Sequence, residues 1–281
     1  MTGLLLTLAL VGPGPELAQD TLVALRRGDT VVLEGLSGEV SVETWARDEL
    51  ELRSQGDASA LQVTRSGSSV RIERDGRKGR RGSVEAAIRV PAWVAVEVSG
   101  RSLDLWVDGV DGPIDVRVVD GDVWIRNAGG PVDVRTVEGE IDVTDARGGV
   151  NLSSQSDEVR VRDVRGAVVV HSGSGDLQLS DVFSSDVRAE TQDGDIHFSG
   201  PIEDGGDYGF FVHDGDAIIA IPAESNARVS VSTFDGEFES EFPVLIERFT
   251  GGREFEFQVG EPRARIEIQV FDGEIRLLHR R

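Results

Sequence analysis

The sequence predicts an all-β chain wound as a right-handed parallel β-solenoid, with about 18–21 residues and two strands per coil and a β-rich N-terminal cap. Three observations predict it. An acidic-glycine-acidic turn, or a close match, recurs at Asp120-Gly121-Asp122, Glu138-Gly139-Glu140, Ser156-Asp157-Glu158, Ser174-Gly175-Asp176, Asp193-Gly194-Asp195, Asp214-Gly215-Asp216, Asp235-Gly236-Glu237 and Asp272-Gly273-Glu274. The turn centres lie 18, 18, 18, 19, 21, 21 and 37 residues apart, the last gap close to two periods. A second phrase keeps step with the first: Ile114/Val116, Val132/Val134, Val150/Leu152, Val168/Val170, Val187/Ala189, Val229/Val231 and Ile266/Ile268. Between turns, apolar and polar residues alternate, Val123 and Ile125 facing one way and Trp124 and Arg126 the other, which is the period of a half-buried strand.

Two alternating strands per repeat, in fixed phase, cannot all bury one face as separate hairpins. Stacked as successive coils they can, each strand pairing with its equivalent about 4.8 Å away. The inward Val, Ile and Leu of the two walls then meet in one apolar seam, and burying each is worth roughly 1.5–3 kcal/mol. The glycines serve turns that need positive φ or close backbone approach. A right-handed winding follows from the general crossover preference.

Element by element, residues 1–19 open with an apolar run, Gly3–Val11, too short for the roughly 20 residues of a membrane span but the length of a signal-peptide core. The expectation is an exported protein, periplasmic, cell-surface or secreted, with no transmembrane segment. Residues 29–100 form a β-rich cap region continuous with the solenoid. Its strands are expected at Thr30–Glu34, Glu39–Thr44, Glu49–Arg53, Leu61–Thr64, Ser69–Glu73, Val84–Val90 and Val94–Val98. A solenoid end exposes an unpaired edge that must be covered. Residues 101–281 carry the repeats, with an excursion at about 240–262 whose Phe242, Phe249, Phe255 and Phe257 suit an apolar lid.

Composition narrows the function. The 281 residues carry a formal charge of −22, which disfavours nucleic acid and anionic membranes. With no cysteine there are no disulfides, thiolate metal sites or cysteine nucleophiles.

The phrases Gly38-Glu-Val-Ser-Val-Glu-Thr-Trp45 and Val90-Pro91, followed by iterated Gly-Asp-Val-x-Ile and Gly-x-Val-x-Val, resemble the DUF4097 family of bacterial β-strand-repeat proteins, often labelled adhesins by analogy. The resemblance runs over about residues 30–278. It implies a β-solenoid, usually exported or envelope-associated, and brings no catalytic residues with it.

Four groups of residues are candidates for a site. Stacking places Asp120, Glu138 and Asp157 in one column and Asp122, Glu140 and Glu158 in another, with Asp193, Asp195, Asp214, Asp216, Asp235 and Glu237 continuing them. Such oxygen rows suit calcium. Yet two charges about 4.8 Å apart in water repel by only about 1 kcal/mol, so solvated turns need no ion; calcium is the one cofactor considered and none is required. Trp106 and Trp124 lie about one coil apart and could form a small glycan platform, although their registers are read as differing by a residue or two. The cations Arg77, Lys78, Arg80 and Arg81, in a stretch that begins at Arg71, could meet an anionic glycan, a lipid headgroup or the acidic surface of a second copy. Outward Asp115, Asp133, Arg117 and Arg135 read as surface ion pairs, and His171, His197, His213 and His279 have no metal-ligand spacing.

The chain therefore reads as a non-catalytic, exported β-solenoid: a surface or envelope scaffold, adhesin-like, binding a protein or glycan partner, of unknown oligomeric state. Two alternatives come from other classes, a polysaccharide-acting β-helix enzyme and a self-assembling structural filament.

Overall fold

The computed structural model describes residues 19–55, 61–74, 83–245, 248–251 and 254–280. The apolar N-terminal run and the cations Arg77, Lys78, Arg80 and Arg81 lie outside the described residues. Among those residues the chain forms strands and no helix. The first seven are β1 (Gln19–Ala24), β2 (Thr30–Trp45), β3 (Glu49–Gln55), β4 (Leu61–Ser66), β5 (Ser69–Arg74), β6 (Val84–Pro91) and β7 (Ala95–Asp108). Then follow β8 (Ile114–Asp120), β9 (Val123–Ala128), β10 (Val132–Arg135), β11 (Ile141–Ala146), β12 (Val150–Ser154), β13 (Val159–Arg165), β14 (Val168–Ser172) and β15 (Leu177–Phe183). The last are β16 (Asp186–Asp193), β17 (Ile196–Ser199), β18 (Asp207–Asp214), β19 (Ala217–Ile221), β20 (Ala227–Ser240), β21 (Arg248–Gly251), β22 (Glu254–Val259) and β23 (Ala264–His279).

Parallel pairing arranges these strands in two walls. One wall runs β5, the first half of β2, the first half of β7, β8, β10, β12, β14, β16 and β18. The other runs β6, then the second halves of β2 and β7, then β9, β11, β13, β15, β17 and β19. The spacing is the one the repeat implies: Val116, Val134, Leu152 and Val170 are successive partners. The fold class expected from the sequence is the one observed.

Alternation fills the seam. Val116, Val134, Leu152, Val170 and Ala189 on one wall, and Val123, Ile141, Val159, Leu177 and Ile196 on the other, are each at most 1 % exposed. Where side-chain size changes on one wall, the other compensates. Tyr208 and Phe210 on one wall share their coil with the smaller Ala217 and Ile219 on the other, all buried, and Phe198 sits one coil below in contact with both rings. Constant volume per layer keeps the cross-section constant, as a close-packed interior demands. Tyr208 also needs partners for its hydroxyl in this dry setting. The hydroxyl donates to the Ser184 carbonyl at 2.7 Å and accepts the Glu203 N–H at 2.8 Å, and burial pushes the phenol's pKa up.

The ends depart from sequence order. At the N-terminal end β2 lies inside β5 and β6, although it precedes them; β4 covers β5, and β3 and β1 cover β6, all antiparallel. At the C-terminal end, simple succession would seat β20 on β18 and β19. Instead β23 pairs with both, and β20 pairs with the outer side of β23. The order of acidic turns is thus Asp214, Asp272, Asp235, a correction to the sequential order read from the repeat. Parallel ladders between equivalent strands are nearly interchangeable, so the repeat itself does not fix which coil is the neighbour. Antiparallel β22 then covers the first half of β20, and Phe255 and Phe257 meet Phe238 of β20. The side chain of Phe249 is outside the described residues.

Candidate functional site

The corner between the two walls builds the most regular surface of the molecule. Its second acidic position forms an unbroken row: Glu85, Glu39, Asp104, Asp122, Glu140, Glu158, Asp176, Asp195, Asp216, Glu274 and Glu237. The aspartates in it are bonded, not merely solvated. Asp104 Oδ1 accepts the backbone N–H of Asp122 at 3.1 Å, and Asp122 Oδ1 that of Glu140 at 2.8 Å. Asp176, Asp195 and Asp216 repeat the bond to Asp195, Asp216 and Glu274 at 2.9, 2.8 and 2.8 Å. A carboxylate two atoms from the backbone reaches the next coil's N–H where the strand ladder breaks at the turn. The longer Glu140 and Glu158 instead hold Arg160, which lies between them. The first acidic position, with Asp120, Glu138, Asp193, Asp214, Asp272 and Asp235, points outward and is exposed. Among the described residues no three His, Asp or Glu side chains gather as a metal site would require. The candidate calcium rows are therefore columns along an edge, not cages.

On the second wall, two residues past this corner, Trp106 and Trp124 are direct partners in register. This corrects the offset inferred from the sequence. Their rings stack with centroids 4.4 Å apart and 10° between planes. The next residues along the column on the N-terminal side are Ser41 and Ala87, too small to cover the free face of Trp106. The result is a slot of about 250 Å³ walled by that indole face, floored by Ser41 and Ala87 and bordered by Glu39, Glu85 and Arg53. Trp106 remains 39 % exposed.

A second aromatic surface was not read from the sequence. Just before the same corner, on the last coils, His213, Phe271 and Phe234 are register partners through the inserted β23. The His213–Phe271 and Phe271–Phe234 centroids are both 4.8 Å apart, and the two phenyl planes differ by 2°. Phe234 and Phe271 are 37 residues apart, each directly before one of two consecutive acidic turns, but the place of Phe271 against His213 follows only from the inserted β23. Their only sequence mark is an aromatic residue directly before Asp-Gly-Glu in both turns.

The remaining candidates behave as surface groups. Asp115–Arg117 and Asp133–Arg135 pair along their own strands at 2.7 and 2.9 Å, each exposed and worth under about 1 kcal/mol. His171 faces Glu190 at 3.6 Å, and His279 packs edge-on against Phe242. Other outward rings are covered by arginines of this chain: Arg47 over Trp45 and Arg188 over Phe211.

A stack of parallel coils with an apolar spine and a bonded acidic edge defines a β-solenoid repeat protein. Residues 147–278 match the model of the family described as Toastrack DUF4097, the family that the sequence resembles. No curated protein matches the chain. Three solved structures are similar at low identity. A proposed adhesin from Bacteroides fragilis is 13 % identical with a TM-score of 0.46, over 94 % of this chain and 98 % of that one. A proposed cell adhesion protein from Clostridium sporogenes is 10 % identical with a TM-score of 0.28, over 94 % and 100 %. A proposed adhesin from Parabacteroides distasonis is 10 % identical with a TM-score of 0.29, over 93 % and 97 %. Likenesses this distant bear on neither ligand nor site.

Proposed function

We propose that the protein is a non-catalytic, exported scaffold of the cell envelope or surface that binds a protein or glycan partner along its coils. The observation that carries this reading is the Trp106–Trp124 stack, presented outward on a rigid wall with one indole face bare. Large aromatic area left exposed beside polar groups is the kind of surface that association buries. Here the two indoles are held by backbone register, so little order is lost on binding. Both ends of the rod carry antiparallel strands, which supports a discrete particle over an open-ended filament.

The test is binding to arrayed envelope glycans and surface proteins, alongside a reducing-end assay for glycan cleavage. We expect binding without turnover, weakened at least about tenfold, equivalent to about 1.4 kcal/mol, in Trp106→Ala. Robust turnover of a glycan, or the absence of any bound protein or glycan whose affinity falls in Trp106→Ala or Trp124→Ala, contradicts the proposal.

A further inference from the structure

The outer face of the first wall changes character over its last coils. Upstream it is a lattice of opposed charges such as Asp115–Arg117 and Asp133–Arg135. Between β16 and β20 it becomes a trough of about 530 Å³, within the roughly 300–1,000 Å³ of ligand sites. One side is the ladder His213, Phe271 and Phe234, with Phe271 47 % and Phe234 69 % exposed. The other side holds Phe211, with the Arg188 guanidinium 4.4 Å from its ring centre. Gln192 continues the ladder on the far side of His213, and Gln269 is the register partner of Phe211. Arg188 is itself paired to Glu190 at 3.4 Å, so the charges in the lining cancel.

We propose that this trough binds a neutral glycan. It rests on the reading of the rod as a non-catalytic binding scaffold and adds a site separate from the tryptophan slot. The ligand chemistry follows from the lining. Flat, exposed phenyl faces favour a ligand that is apolar on one face, and the C–H face of a pyranose is such a surface. The Gln192 carboxamide, both donor and acceptor, and the Gln269 carboxamide, whose nitrogen already donates to Glu267, suit hydroxyls that are also both. An anionic sugar would approach a chain of charge −22, and a cationic peptide would find in the trough the Glu190 carboxylate already paired with Arg188. An uncharged polyhydroxylated ligand is the one this lining accommodates without an unpaired charge.

The pairing of Phe234 with Phe271 also places the trough under structural control. Phe271 lies between His213 and Phe234 because β23 is seated inside β20. The site is therefore assembled by the last strand of the chain.

The experiment is calorimetric titration of the full chain with neutral hexasaccharides of β-linked glucose, xylose and N-acetylglucosamine, and with oligogalacturonate and oligolysine as charged probes. Variants are Phe234→Ala, Phe271→Ala, Phe234→Trp and Trp106→Ala, each checked by thermal melting. At least one neutral hexasaccharide should bind the wild type, lose at least about tenfold in affinity in both alanine variants, and keep its affinity in Phe234→Trp and Trp106→Ala. Phe234 is so exposed that its truncation leaves the seam untouched. Absence of binding by every neutral probe overturns the proposal, as does neutral binding indifferent to both phenylalanines, or tighter binding of either charged probe. Loss in Trp106→Ala alone overturns it while leaving the scaffold reading intact.

Discussion

Gly139 shows at one atom why the turns repeat glycine. At φ +125°, a Cβ there would lie 2.1 Å from the Gly121 carbonyl oxygen of the preceding coil. Gly139→Ala should therefore destabilise by well over 1 kcal/mol in urea unfolding. The opposite corner uses a different device. Asn127, Asp145, Asp163 and Asp181, 18 residues apart, all have φ of 51–53°. Each reverses the alternation so that Ala128, Ala146, Val164 or Val182 turns inward. Asn and Asp tolerate this left-handed backbone and β-branched residues do not. Asp145→Gly should thus lie within about 1 kcal/mol of wild type, and Asp145→Val should fall well below it. On the acidic edge, Asp122→Asn retains the acceptor for the Glu140 N–H and removes one charge from the row. It should leave stability unchanged or raised at low salt, whereas Asp122→Ala should lose about 1 kcal/mol. Asp29 accepts from Arg65 at 2.6 Å and from the Arg26 N–H at 2.8 Å, and these bonds, the Arg65 one first, hold its carboxyl below 3.8. Its contribution is complete above the unfolded value and fades as pH falls through the lower folded value. Arg65→Gln should accordingly lower stability at neutral pH and flatten its decline below about pH 4.

Element by element, the sequence carried some pairings and hid others. The alternation of Val132, Val134, Ile141 and Val143 states strand, face and period at once, and the 18-residue step from Trp106 to Trp124 is one full coil. The left-handed aspartates share that step but were masked by the abundance of acids. The position of β23 was not legible at all, because Ile266 and Ile268 would fit any neighbour presenting the same alternation. The lengths of β20 and β23, 14 and 16 residues without a break between walls, set the last coils apart from the interior ones, as the 16 and 14 residues of β2 and β7 do for the first. The inserted strand bonds on both sides, so its loss should be felt by two coils. A chain ending at residue 262 should lose the cooperative unfolding of β18–β20, and a peptide of residues 263–280 added in trans should restore it. Full stability of the truncated chain would mean that β20 can seat directly on β18.

At the scale of the whole molecule, the opposed inversions at the two ends give a rod closed by its own strands and an acidic edge that runs its length. The two aromatic surfaces flank that edge, one near each end of the stack. The absence of cysteine makes spin labelling at two introduced cysteines clean. Arg117, Gln269 and Ser232 occupy one outward column, six and seven coil steps from Arg117 respectively. At about 4.8 Å per step, electron–electron distances should centre near about 29 Å for Arg117→Cys with Gln269→Cys and about 34 Å for Arg117→Cys with Ser232→Cys. The residue farther along the chain must be the nearer in space. Equal distances, or the reverse order, would contradict a parallel stack whose final strand lies inside its last coil.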